Sequence, residues 1–272
     1  MIIDCHCHAG RGDILTAPWN TVADLAPYLR RARQAGIAKT VVFAAFHRDY
    51  VEANQEVARI VRQHAGRLVG FAFVHAKRDT GRIHEMVATA VRRWNFRGIK
   101  VHGYDGLPTR EICETARAFR IPILVDVVSQ AHVVDMFAPE YPDVNFIIPH
   151  LGSFHDDWRA QQRVVDQLVR YPNVYTDTSG VRRFDYIVQA VQRAGARKVL
   201  FGSDGPWLHP GVELYKIKAL GLPPDQEALV LGGNIARLIR TVRKRATGPP
   251  SRPSRPIVEY DPGVPVAMEA EL

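Results

Sequence analysis

The chain has 272 residues, 46% hydrophobic and 24% charged, with a formal net charge of +8, figures that suit one large barrel or two small globular domains. No apolar run approaches the ~20 residues that span a bilayer, and residues 1–8 lack the basic and apolar regions of a signal peptide, so a cytoplasmic location is expected. The arginines are spread along helical segments (Arg30, Arg31, Arg33, Arg59, Arg62, Arg92, Arg93), which predicts solvated helix faces that steer an anionic small molecule, with no nucleic-acid or membrane partner.

Short runs rich in Val, Ile, Leu and Phe alternate with longer amphipathic segments from the first residue to about residue 245. The first strand, over 1–8, ends Asp4-Cys5-His6-Cys7-His8. Alternate side chains on a strand lie ~6–7 Å apart, too far for a disulfide, so Cys5 and Cys7 are expected to pack in the core. Helix one follows, with Leu25, Leu29 and Ala32 on one face, Thr21 and Asp24 spaced like a capping box, and Gly36 as the stop. The next strands are predicted at 39–47 and 67–75, separated by a helix with the stripe Ala53, Val57, Ile60 and Val61. A helix carrying Met86, Val87, Ala90, Val91 and Trp94 leads to strands at 96–102 and 121–128. Strands at 144–150, 173–179 and 198–204 complete a set of eight, and a last helical region after Pro223–Pro224 is interrupted at Gly232–Gly233. Continuous apolar runs of this kind belong to parallel strands covered on both faces. Eight of them alternating with helices, with no glycine-rich phosphate turn after the first, predict a single-domain (β/α)8 TIM barrel of the α/β class over 1–245. Residues 246–272 form a Pro-rich tail, since 248–265 hold six of the chain's 18 prolines. Such a segment builds no core of its own. It is expected to be extended or disordered, or, given the alternation Ile257, Val258, Tyr260, Val264, Val266, an arm over the barrel or a neighbouring subunit of a homodimer.

The chemistry lies in how these strands end. Buried strand interiors are apolar, yet the ends carry His6 and His8, Lys100 and His102, Asp126, His150 and Asp204. In a barrel these C-terminal ends converge on one face, where active sites are built. Period two sets His6 and His8 on one side of the first strand. Two imidazoles and a carboxylate from across the barrel suit a divalent metal, Zn²⁺ first with Mn²⁺ or Fe²⁺ also compatible, able to lower the pKa of water toward ~7 or polarise a substrate oxygen. His47 and His75 read as rim residues, and His64, His84 and His132 as solvent-facing.

The sequence resembles the amidohydrolase superfamily, in its amidohydrolase-related branch of decarboxylases and hydrolases. The matching stretches are Ile3 to His8, Gly98 to His102, Ile147 to Gly152, Leu200 to Asp204 and Leu231 to Leu238. The resemblance implies that His6 and His8 are metal ligands and that Asp204 binds metal and moves protons. It implies that His150 is a metal ligand or an acid/base, and that Lys100 is either carboxylated between two metals or an ammonium binding a substrate carboxylate. One position departs: relatives place a histidine four residues after the proline of the fifth strand, where this chain has Asp126. His102 is a candidate to turn inward in its place, and Asp126 itself is a candidate ligand. His102, Tyr104 and Trp207 are expected, with Lys100, to contact substrate, with Phe46, His47, His75 and Trp158 as further wall residues and Arg182 and Arg183 near the mouth. Three functions fit: metal-dependent hydrolysis of an amide, ester or lactone of a small anionic substrate, non-oxidative decarboxylation of an aromatic or unsaturated acid, or a catalytically silent binding barrel.

Overall fold

The computed structural model describes residues 1–13, 22–240 and 242–243. The expectations for Thr21 and for the 246–272 tail fall outside them. Each of the eight predicted strands is present. In chain order the strands are β1 (Ile2–Arg11), β2 (Val22–Ala23), β3 (Ile37–Ala44), β4 (Leu68–Gly70), β5 (Ala72–Phe73), β6 (Ile99–His102), β7 (Ile123–Asp126), β8 (Phe146–Ile148), β9 (Val174–Asp177) and β10 (Val199–Leu200). β2 is an addition, an antiparallel flap on the far end of β1.

The third predicted strand is divided into β4 and β5 because it changes partner at Phe71. Phe71 N–H bonds to Val42 O of β3, while the next amide, Ala72 N–H, bonds to Gly98 O beside β6. Parallel pairing therefore runs β1-β3-β4 and β5-β6-β7-β8-β9-β10. The chain beyond β10 then lies against β1: Cys5 N–H donates to Phe201 O at 3.0 Å and His8 N–H to Gly205 O at 2.6 Å. These contacts close a (β/α)8 TIM barrel, which has no free edge.

Helices α1 (Leu25–Gln34), α2 (Tyr50–Gln63), α3 (Ile83–Trp94) and α4 (Arg110–Phe119) wrap the first half, and a short α5 (Val134–Phe137) follows β7. α6 (Trp158–Arg170), α7 (Phe184–Ala194), α8 (Pro210–Ala219), α9 (Pro224–Ala228) and α10 (Asn234–Leu238) complete the ring. Aspartates start three of them. The carboxylates of Asp24, Asp49 and Asp157 accept from the first-turn amides of α1, α2 and α6, an arrangement worth about 1 kcal/mol each. Each helix turns its predicted apolar stripe inward, so that Val57, Val87 and Val91 are at most 1% exposed. Burial of such a side chain contributes about 1.5–3 kcal/mol. Cys5 and Cys7 pack fully buried and free, as expected. All seven arginines named above are exposed on helix faces. Gly232 breaks the last helical region because the start of β1 presses on it: a Cβ there would meet Met1 O at 2.4 Å.

Candidate active site

The barrel strands end sooner than their apolar runs predict, and the residues just past them take unusual backbone angles. After β8 the chain turns through His150, Leu151 and Gly152 with φ of 59°, 50° and 84°, and after β10 Asp204 has φ of 54°. Left-handed conformations at non-glycine residues cost of order 1–3 kcal/mol and persist where surrounding structure imposes them. Here they carry His150 and Asp204 to the wall of one cavity of about 570 Å³ at the C-terminal mouth.

Of the residues expected at the site, His6, His8, Lys100, His102, Tyr104, Asp126, His150, Asp204 and Trp207 all line this cavity, with Phe46 and Arg182. His47, His75, Trp158 and Arg183 do not. His75 turns to Asp105, 3.5 Å away, and Arg183 pairs with Asp156 at 3.2 Å. Trp158 opens α6 and lies 42% exposed in a separate groove. His84, expected to face solvent, is half-buried with its ring 5.5 Å from that of Phe119.

Three donor atoms converge. His6 Nε2 is 3.3 Å and His8 Nε2 3.7 Å from Asp204 Oδ1, and the three residues are no more than 5% exposed. The other ring nitrogens are engaged: His8 Nδ1 lies 2.9 Å from Ala44 O and His6 Nδ1 2.8 Å from Asp177 Oδ2. A carbonyl or carboxylate oxygen only accepts, so both Nδ1 atoms carry protons and both Nε2 atoms present lone pairs to Asp204. Burial also lowers the His6 pKa to about 4, against the pull of Asp177, so its ring is neutral. Burial raises Asp204 to about 7, with Asp177 and Asp126 adding to the rise and His150 and Lys100 opposing it. One proton on Asp204 satisfies one of these facing acceptors; a divalent cation satisfies all three. Their spacing is near the roughly 3.4 Å edge of a tetrahedron built on ~2.1 Å bonds, so the residues present fit a metal.

His6, His150 and Asp177 form a second group of closely spaced donors. There Asp177 is a hydrogen-bond acceptor on the Nδ1 side of His6, so this group supports the first.

His150, its ring 4.9 Å from that of His6, links this group to a further cluster in the same cavity. Asp126 Oδ2 is 3.3 Å from His102 Nε2 and 3.6 Å from His150 Nε2, and Asp126 Oδ1 accepts from Val128 N–H. Burial works to raise the Asp126 pKa, but His102, His150 and Lys100 together hold it well below the carboxylate range. His102 thus does turn inward, toward Asp126. Lys100 is 1% exposed, with Nζ 4.9 Å from the Phe43 ring centroid. Among the described residues no carboxylate lies within 4.0 Å of its ammonium, and burial lowers its pKa.

The sequence reading missed Asp177 and Ser179, at the end of β9, and the Glu213–Lys216 pair of α8. Asp177 had a signal, since its strand ends in an ionisable residue like the others. Glu213 and Lys216 had none: they reach the cavity from a helix, Glu213 accepting from Gly180 N–H and Lys216 donating to the carbonyls of Thr178 and Val181.

The family model described as Amidohydrolase matches residues 3–241. The chain belongs to the amidohydrolase family. It is therefore an enzyme fold of that family and not simply a binding barrel. Solved structures agree on the architecture. An amidohydrolase from Burkholderia multivorans shares 16% identity over 89% of this chain and 99% of its own, with a TM-score of 0.72. A 2,6-dihydroxybenzoate decarboxylase complexed with 2,6-dihydroxybenzoate matches at 15% identity, 88% and 100% coverage and a TM-score of 0.68. A dihydroxybenzoic acid decarboxylase from a Polaromonas species, with bound manganese and the inhibitor 2-nitroresorcinol, matches at 17% identity, 88% and 96% coverage and 0.65. A search of the curated proteins finds no match. Among the described residues no helix is long and apolar enough to cross a membrane.

Proposed function

We propose that this amidohydrolase is a metal-dependent hydrolase of an amide, ester or lactone bond in a small substrate bearing a carboxylate. The observation that carries this reading is the meeting of His6 Nε2, His8 Nε2 and Asp204 Oδ1 at one point of the cavity wall. These three would hold the ion, zinc first by ligand type, with manganese or iron also accommodated. When bound, a divalent cation supplies Lewis acidity that acidifies water or polarises a substrate oxygen. Asp126 and His150, which line the same cavity, are the further candidates for its ligand shell.

The chain's own groups complete the chemistry. Asp204, with its carboxylate beside both imidazoles, accepts the proton of the attacking water. His150, whose Nδ1 donates to Ser179 O at 2.7 Å, presents Nε2 to the cavity, where it takes up the proton that Asp204 removed from water and, as an imidazolium, passes it to the leaving group. Lys100 supplies a fixed ammonium with no partner carboxylate at contact distance among the described residues, and it pairs with the carboxylate of the substrate. Tyr104 and Trp207 flank the cavity and bind the apolar body of the substrate.

Non-oxidative decarboxylation is the second reading. It is favoured by the Asp126–His102 and Asp126–His150 contacts, which form an acid pair suited to protonating carbon, and by the aromatic walls. Turnover in ¹⁸O-labelled water distinguishes the two: hydrolysis puts one label into the product, whereas decarboxylation releases CO2 and transfers only a proton. A screen of lactones, esters and aromatic acids with zinc- or manganese-loaded protein is the setting. Loss of CO2 without label uptake would overturn the hydrolytic reading.

A further inference from the structure

Asp177 is fully buried behind the metal-site histidines, and its two oxygens face different partners. Oδ2 lies 2.8 Å from His6 Nδ1. Oδ1 accepts from Ser179 N–H at 3.0 Å, Ser179 Oγ–H at 2.6 Å and His150 N–H at 3.3 Å. Ser179 Oγ in turn lies 3.0 Å from His150 Nδ1 and 3.3 Å from His6 Nδ1. One carboxylate thus joins the end of β1 to the turn after β8.

We infer that Asp177 is a positioning residue that locks the tautomer of His6. An ionised carboxylate is the one side chain of this shape that accepts on both sides at once. An asparagine there has a single acceptor. The Oδ1 side is crowded by donors, two of them backbone amides that cannot turn away, so the carbonyl of an asparagine must face them. Its NH2 group then faces His6 Nδ1, which has to become an acceptor. The imidazole proton moves to Nε2, where it points at Asp204 Oδ1, 3.3 Å away. A nitrogen bearing that proton binds no metal. The isosteric change Asp177→Asn therefore switches off a ligand without touching it, and β9 controls the site on β1.

The metal consequence rests on the reading of His6 as a ligand; the tautomer itself does not. The test is ¹⁵N NMR of histidine-labelled, chelator-treated full-length protein, with the His6 signals assigned by their loss in His6→Ala. Wild-type His6 is expected to show protonated Nδ1 and bare Nε2, and Asp177→Asn the reverse. Titration with Zn²⁺ or Mn²⁺ alone is expected to show binding about 10- to 100-fold weaker in the variant. A wild-type His6 protonated at Nε2 overturns the lock even if the variant fails to fold. So does a folded variant with unchanged tautomer and affinity within about twofold of wild type. If the wild type binds neither ion while the tautomer still switches, the lock stands and the metal reading falls.

Discussion

Asp126 and His102 sit directly opposite each other on adjacent parallel strands, in register, with Oδ2 3.3 Å from Nε2. His102 Nδ1 accepts from Tyr104 N–H, so its Nε2 carries the proton and donates to the carboxylate. This pair lines the same cavity as His6, His8 and Asp204, but neither residue is one of those three converging donors.

The absence of Asp126 from that converging group predicts the behaviour of Asp126→Asn. The three converging donors are untouched, so the bound-metal content measured by elemental analysis is expected to stay at the wild-type level. Turnover is expected to fall by about 10²–10⁴-fold, the usual contribution of a positioned acid/base group. Loss of the metal together with activity would make Asp126 a ligand instead.

His6→Ala combined with His8→Ala removes two of the three donors. Affinity for Zn²⁺ by calorimetry is expected to weaken by more than about 100-fold, and turnover to vanish. His132, exposed in the turn between β7 and α5 and not among the residues that line the cavity, serves as the control, and His132→Ala is expected to leave both unchanged. Activity surviving the double substitution would sink the metal-dependent reading.

Lys100→Met replaces a buried ammonium with an apolar chain of similar length. Burial lowers the Lys100 pKa, so below that native value folding takes on a desolvated charge that the unfolded chain keeps in water. The variant is expected to be more stable than the wild type by about 1 kcal/mol in urea denaturation at neutral pH. As pH rises from the depressed native pKa toward about 10.4, the unfolded state binds more protons than the native one. Wild-type stability then climbs and the difference shrinks. Apparent affinity for a carboxylate substrate is expected to drop in the variant; a variant less stable at pH 7 and equally stable at pH 10 would contradict the account.

Tyr28→Phe tests the support beneath β1. Tyr28 is fully buried, donates to Asp4 Oδ2 at 2.7 Å and lies 2.9 Å from Thr40 Oγ1. Asp4 also accepts from the amides of His6 and Ser203 and from the Ser203 hydroxyl. Burial raises its pKa to about 6 despite these donors. Removing one donor is expected to cost about 1.5–3 kcal/mol by thermal or chemical denaturation, with metal content retained. A change below about 0.5 kcal/mol would mean that Ser203 alone suffices.

The alternation of apolar runs with amphipathic segments determined the barrel, because burial on both faces leaves a strand no other composition. The polar strand ends marked the cavity at the barrel mouth for the same reason: charge at the end of a buried strand is costly unless it is partnered. Sequence also carried His6, His8 and Asp204 through motif and family resemblance. Asp126 was visible as a departure, but its partner was not, since the pairing with His102 depends on the register between β6 and β7. The division of the third strand at Phe71 was hidden because an apolar run does not record which neighbour each residue pairs with. Glu213 and Lys216 were out of reach for the same kind of reason, a helix face arriving from outside the barrel. Tertiary structure alone decided the protonation geometry of the site. Which imidazole nitrogen is free is set by what the other one touches, and Asp177 and Ala44 reach His6 and His8 only when the barrel closes.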